Sequence, residues 1–255
     1  MVCLWGEGDA AFGISKYCIR PFIDGTPDLS DELLHFCLRK RQVNETGNFN
    51  LVKGWLRLCD ETHRHTTGPI HPNPVLKDLR FIDTKKRCVV KQEQHVCYAA
   101  LSYTWGRGEK YSLKRDNVEV LEEYGSLDRT DIALQKVIID AIEVCTKADI
   151  PYLWVDALCI IQDDVQGKMS QIRNMDSIYS NAYVTIIQAV EKQAHLDQSP
   201  LNWNVCLGLP GLSTPFTQIE PSFVIDGMSY LVDNNDVYRT MNESFSTSRW
   251  SSRGW

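Results

Sequence analysis

Residues 152–190, YLWVDALCIIQDDVQGKMSQIRNMDSIYSNAYVTIIQAV, restrict the possible folds of this chain more than any other stretch. Tyr152 to Val155 is an apolar, bulky run suited to a buried pleated surface, and it stops at Asp156. A carboxylate directly after a buried strand either organises the following loop by accepting backbone N–H groups or stands as a functional group at the ligand-binding edge of an α/β sheet. Gln162 to Gly167 is polar and turn-like, with Asp163 and Asp164 as cap candidates for the next helix. Met169, Ile172, Met175, Ile178 and Tyr179 then recur at helical spacing, which predicts one stripe directed to a core. Ser180 and Asn181 break the pattern, and Tyr183 to Val190 forms a second apolar run. Strand, helix and strand make a βαβ unit with a parallel, right-handed connection.

The rest of the chain narrows the class. At 255 residues, with 43% hydrophobic and 24% charged side chains, it has the composition of a globular protein with room for one large domain or a domain plus an extension. A net charge of −6 and the absence of a large basic cluster argue against nucleic-acid binding. Lys85-Lys86-Arg87 and Arg39-Lys40-Arg41 read as short solvated faces. Asp156 interrupts the longest apolar run, so no membrane segment is expected. The N-terminus lacks the pattern of a signal peptide, which makes the cytosol the expected location. The nine cysteines form no CxxC pair and read as reduced thiols, most of them buried.

Taken in order, Asp31 to Arg41 reads as a short helix capped by Ser30. Leu51 to His65 reads as a second helix with Leu51, Trp55, Leu58 and Cys59 on one face. Cys59 and His63 are spaced to share that face, with His65 following. No second Cys/His pair completes four ligands, so no metal site is assigned. Pro69 to Pro74 is a stiff linker, dividing an N-terminal extension of short helices (1–74) from a main domain (75–255). Leu79 to Thr84 and Arg87 to Val90 are short strands with a turn between them, and Lys91 to His95 is a loop or its edge.

Tyr98 to Gly106, YAALSYTWG, begins as a buried strand and ends in hydroxyls and rings. Ser102, Tyr103 and Trp105 form a candidate platform for a sugar or base, although Trp105 reads equally as a plug over the sheet. Arg107 to Arg129 is a polar excursion with a short strand or turn near Val118 to Leu121. Asp131 to Lys147 is a helix with Leu134, Val137, Ile138, Ala141, Ile142 and Cys145 inward and Thr130 or Asp131 as cap. The order from Tyr98 predicts a flavodoxin-like or other three-layer α/β arrangement with a mostly parallel sheet. Gly208-Leu209-Pro210-Gly211 is a tight turn. Phe223 to Ile225 and Tyr230 to Val232 flank Asp226-Gly227 as a β-hairpin inserted after the third core strand.

Several of these motifs, in this order, resemble the fungal heterokaryon incompatibility (HET) domain family. They are Trp55-Leu56 with Cys59 and His63, Arg80-Phe81-Ile82-Asp83, Ala100 to Trp105-Gly106, and Tyr152-Leu153-Trp154-Val155-Asp156 with Leu158-Cys159-Ile160 and Gln162-Asp163. Further on come Gln171-Ile172, Met175, Ile178-Tyr179, Gly208 to Gly211, and Arg249-Trp250 with Arg253-Gly254-Trp255. Thr66 stands where the family often has a further cysteine, and the family's last motif typically continues past the final Trp to a Gln-Glu pair, so a C-terminally truncated domain is expected.

The resemblance implies a role in the cell-death response that follows fusion of incompatible fungal strains. It also implies a distant similarity to TIR domains, some of which cleave NAD. No bound cofactor is then expected, and NAD or a related nucleotide becomes the candidate substrate, held near Ser102, Tyr103, Trp105, Asp156 and Gln162. The carboxylate implied for the chemistry is a Glu past Trp255, which would leave this chain weak or inactive. Asp156, Asp163 and Cys159 are the catalytic candidates within it, each with a structural alternative: loop organisation or capping for the carboxylates, including Asp164, and a buried thiol for Cys159. The competing function is a non-catalytic module that self-associates or binds another signalling protein, with Trp5, Trp203, Trp250 and Trp255 as candidate anchors.

Overall fold

A computed structural model of the chain describes residues 2–4, 17–21, 47–67, 79–92, 96–105, 110–188, 208–209, 211–212, 222–225 and 228–234. In chain order its elements are β1 (Val2–Leu4), β2 (Tyr17–Pro21), α1 (Phe49–Thr67), β3 (Leu79–Asp83), β4 (Cys88–Gln92), β5 (Tyr98–Ser102), α2 (Val118–Glu122), α3 (Lys136–Lys147), β6 (Tyr152–Trp154), α4 (Asp156–Cys159), α5 (Val165–Arg173), α6 (Met175–Ser180), β7 (Val184–Ile187), β8 (Ser222–Ile225) and β9 (Met228–Asn234). They form an α/β fold with two sheets, ordered β4-β3-β6-β5-β7 and β1-β2-β9-β8.

β5 sets the larger sheet. All of its residues are buried, as a strand covered on both faces requires, and Ala99 and Ala100 leave room for close packing on either side. β6 and β7 flank β5, and both run parallel to it. The strands of the expected βαβ unit are therefore parallel but not neighbours, because β5 lies between them. Beyond β6 the sheet turns antiparallel through β3 and then β4. The sheet is thus mostly parallel with one reversed strand: β4, β6, β5 and β7 run the same way and β3 runs against them, because the β3–β4 hairpin is closed by a tight turn instead of a crossover helix. Asp83 builds that turn, its Oδ1 accepting the backbone N–H groups of Lys85 (3.1 Å) and Lys86 (2.8 Å).

Strand register decides which side chains share a face. Tyr98 lies opposite Tyr152, and Ala100 opposite Trp154. Phe81 joins them, its ring centroid 4.9 Å from that of Tyr98. α6 closes over this face: Tyr179 meets Trp154 edge-on at 5.6 Å, and the Tyr98 hydroxyl donates to the Ile178 carbonyl. α3 packs against β5 and β6, burying Val137, Ile138, Ala141, Ile142 and Cys145.

Several elements depart from the sequence pattern for identifiable reasons. The stripe from Met169 to Tyr179 is broken at Asn174, whose side chain bonds back to the Ser170 carbonyl, and the helix splits into α5 and α6. Only the α6 part goes inward. Ile178 is fully buried, whereas Met169 and Ile172 remain 46% and 40% exposed. α3 starts at Lys136 rather than Asp131, because the Asp131 carboxylate is held by Arg129 through two hydrogen bonds. The 118–122 segment is a short helix instead of a strand or turn. α1 turns Val52 and Leu56 toward the core and leaves Trp55 49% exposed, so its inward face is offset from the expected one.

The hairpin around Asp226-Gly227 forms as β8 and β9, and β9 pairs with β2 from the N-terminal region. That region therefore contributes strands as well as helix. The expected helix at Asp31 to Arg41 and the aromatic candidates Trp5, Trp203, Trp250 and Trp255 lie outside the described residues. No helix among the described residues is long and apolar enough to cross a membrane.

If burial around β6 carries the fold, Leu153→Ala, at a fully buried position, should cost about 2–5 kcal/mol in urea unfolding. A loss near that of an exposed-site control such as Tyr124→Ala, at 81% exposure, would contradict the packing described.

Candidate functional site

Asp156 joins the carboxyl ends of β5 and β6. The chain leaves β6 through extended Val155 and makes the single helical turn α4, which places the half-buried Asp156 at the sheet edge. Its Oδ1 accepts the Ala157 backbone N–H at 2.7 Å, and its Oδ2 accepts Nε1–H of Trp105 at 2.8 Å. The buried Tyr103 hydroxyl lies near enough to this carboxylate to feel its charge. Burial, followed by the Asp156 charge, pushes the Tyr103 hydroxyl well above the ordinary phenol range, so it stays protonated. Trp105 is fixed from its other end by Gln135, which donates to its carbonyl at 3.0 Å.

The loop after Asp156 is folded by its own side chains. Gln162 Nε2 donates to the carbonyls of Asp156 (2.8 Å) and Ile160 (3.0 Å). The Cys159 thiol points inward, accepting the Val155 N–H at 3.3 Å, and burial pushes its pKa up to about 12. Residues 112–117 run along the loop as a strap. Leu113 N–H donates to the Ala157 carbonyl, and Gln162 N–H donates to that of Leu113. Asp163 accepts the Arg115 backbone N–H at 3.0 Å, and Asp164 pairs with the Arg115 guanidinium at 3.1 Å. Asp164 occupies the N-cap position of α5 without making a side-chain cap bond.

The fold therefore gathers Tyr103, Trp105, Asp156 and Gln162, and directs Cys159 inward and Asp163 outward toward Arg115. Ser102 and Tyr103 are 4% and 2% exposed, which leaves half-buried Trp105 as the main ring surface at this edge. Each candidate carboxylate already accepts hydrogen bonds that hold the loop. Cys159, protonated across the neutral range and fully covered, has the character of a structural thiol. A groove of about 440 Å³ lies elsewhere, along α5, lined by Val165, Gln166, Met169, Ser170, Arg173 and Asn174.

Asp140 has no counterpart among the sequence candidates. It sits at 3% exposure on α3 and accepts the Leu209 backbone N–H at 2.6 Å, tying the Gly208–Gly211 segment to the helix. A lone carboxylate between Ile139 and Ala141 in an apolar helix was its visible signal. Gly211, at φ +81°, adopts a backbone that suits glycine, and its carbonyl accepts the Gly47 N–H. Cys59 is exposed, and the side chains of His63 and His65 lie outside the described residues. Among the described residues no three His, Cys, Asp or Glu side chains gather to hold a metal ion.

Comparison with known proteins gives a consistent result. The family model described as "Heterokaryon incompatibility protein (HET)" matches residues 98–255, more than half of the chain. A Neurospora crassa protein, "Heterokaryon incompatibility protein 6, OR allele", is 31% identical over 100 residues, covering 35% of this chain and 14% of that protein. The chain thus spans a small part of the length of that relative. No solved structure matches.

Two outcomes test this geometry. Asp156→Ala should lower unfolding stability by about 1–3 kcal/mol, because it leaves buried donors without their acceptor; an unchanged urea midpoint would contradict the joint. The second outcome concerns pH. The thiols of Cys145 and Cys159 ionise in the folded chain only near 12, against roughly 8.5 when unfolded. Their contribution is complete below the unfolded value and is lost as pH rises toward the folded one. Stability should therefore decline between about pH 8.5 and 11, and less steeply in Cys159→Ala; equal slopes in the two chains would contradict the assignment.

Proposed function

This chain belongs to the heterokaryon incompatibility family, and from that premise we propose that it takes part in fungal incompatibility as a signalling module that works by protein association. The observation that carries this reading is the commitment of Asp156, Asp163 and Asp164 to bonds that hold their own loop. A carboxylate tied into its own loop in this way is held for architecture, most fully at Asp156, where both oxygens accept hydrogen bonds. The described surface offers apolar side chains instead: Val165 at 73% exposure, with Met169, Ile172 and Ile187. Such side chains suit a partner better than water when they cluster.

A second reading is TIR-like cleavage of NAD or a related nucleotide. It is favoured by the order β6-β5-β7, which is the 2-1-3 order of doubly wound sheets. Right-handed crossovers would place α3 and the α5–α6 pair on opposite faces, giving flavodoxin-like layering, with Trp105, Asp156 and Gln162 at the ligand edge. Cleavage would release nicotinamide as a neutral ring and leave an oxocarbenium-like ribose, which requires one well-placed carboxylate.

Inducible expression of the chain in a filamentous fungus separates the two readings when viability and cellular NAD are followed together. Association predicts falling viability at constant NAD, and purified chain at high concentration should release no nicotinamide from NAD. Nicotinamide release by the purified chain would overturn the association reading in favour of the second.

A further inference from the structure

Two surface features of opposite charge stand toward opposite ends of the larger sheet. Asp83 lies opposite Tyr152, the first residue of β6, so the β3–β4 turn sits at the amino ends of the parallel strands. The Gly125 N–H donates to the Lys86 carbonyl of that turn at 2.9 Å, and Gly125, at φ +74°, fixes the bend that follows Tyr124. Tyr124 is presented outward there, the most exposed large apolar side chain among the described residues. Glu119, Glu122 and Glu123 precede it, and α2 carries no basic residue. Arg80 and Arg129 approach Glu122 and Glu123 at 3.4 and 3.6 Å, the loose end of surface ion pairing. α5, in contrast, begins past the carboxyl ends of the parallel strands, after the Asp156 loop. The groove of about 440 Å³ runs along it, with Val165 and Met169 as apolar lining and Arg173 as charged lining. Val165 is second only to Tyr124 in exposure among these apolar side chains. α5 carries Lys168 and Arg173 and no acidic residue, while Asp164, just before it, is taken by the Arg115 guanidinium.

We propose that Tyr124 of one copy of this chain seats in the α5 groove of the next, so that the chain associates with itself head to tail. This rests on the association reading above and names its partner. A groove of this volume is in the range that holds a small organic molecule, which leaves room for one phenol ring. A tyrosine has few rotatable bonds, so placing it on a fixed turn costs little side-chain entropy. The Met169 thioether offers the ring a sulfur–aromatic contact. Arg173 is then beside the carboxylates of Glu122 and Glu123, and opposite charge sets the orientation of the contact. A second copy fits because the acidic, aromatic tip and the basic, apolar groove complement each other, and every copy carries both. Tip and groove are different surfaces, so the contact is heterologous and continues past a dimer into a ring or an open chain. One ring in one groove is a small contact, so the association is weak, concentration-dependent and sensitive to salt.

Sedimentation of the full chain over a wide concentration range tests this, with two variants alongside. The unmodified chain should grow from monomer to species larger than a dimer, and added salt should reverse that growth. Tyr124→Ala and Met169→Lys, both at exposed positions, should each weaken association at least about tenfold without moving the urea midpoint. An equimolar mixture of the two variants keeps one intact tip and one intact groove, so it should form a one-to-one dimer and grow no further. A chain that stays monomeric at every concentration, an assembly indifferent to both changes, or a mixture that forms no dimer would overturn the contact. A monomer that still lowers fungal viability at constant NAD would overturn this contact alone and leave the association reading in place. Nicotinamide release by the purified chain would overturn the association reading itself.

Discussion

The Asp156 carboxylate is the joint on which the carboxyl edge of the sheet depends. It reaches the Trp105 indole after β5 and the Ala157 N–H at the start of α4, and its charge acts on the buried Tyr103 hydroxyl nearby. A half-buried charge is costly unless its acceptor sites are filled. Here they are filled by groups from two neighbouring parallel strand ends, so satisfying one side chain also fixes the relation between those ends. The strap at residues 112–117 and the Gln162 amide extend the same arrangement to the loop, converting a polar stretch of sequence into ordered backbone.

That arrangement explains why residues with the look of an active site are so well placed and yet so occupied. Tyr, Trp, Asp, Gln and Cys at a strand edge are the residue types of catalysis, and they are equally the types that solve buried hydrogen bonding. Oxygen atoms held at 2.7 and 2.8 Å by backbone and indole donors are acceptors in a frame.

Much of the fold was legible in sequence where local pattern and burial agree. β5, β6 and β7 announced themselves as apolar runs, α3 as a wide amphipathic face, and the β3–β4 and β8–β9 hairpins by their turns. What failed to show was set by tertiary contact. Periodicity placed Met169 and Ile172 in a core, but Asn174 ended the helix and the turn carried only the α6 residues inward. In α1, Trp55 matched a helical stripe that the sheet did not meet. The insertion of β5 between β6 and β7 depends on strand neighbours that no local pattern encodes. Asp156 was visible as a candidate, while its partners Tyr103 and Trp105 were visible only as a separate motif about fifty positions earlier. Asp140 stayed hidden because a carboxylate in an apolar helix has meaning only once the 208–211 segment comes beside it.

The Trp105–Asp156 bond joins the two strand ends, and a double-mutant cycle between Trp105→Phe and Asp156→Ala measures that joint directly. Each change removes one side of the Nε1–carboxylate bond while the ring is largely retained. The predicted result is a coupling free energy of about 0.5–3 kcal/mol in unfolding stability, as found for residues in direct contact within one network. Additive single-mutant losses, with coupling near zero, would contradict the claim that this bond holds the carboxyl edge together.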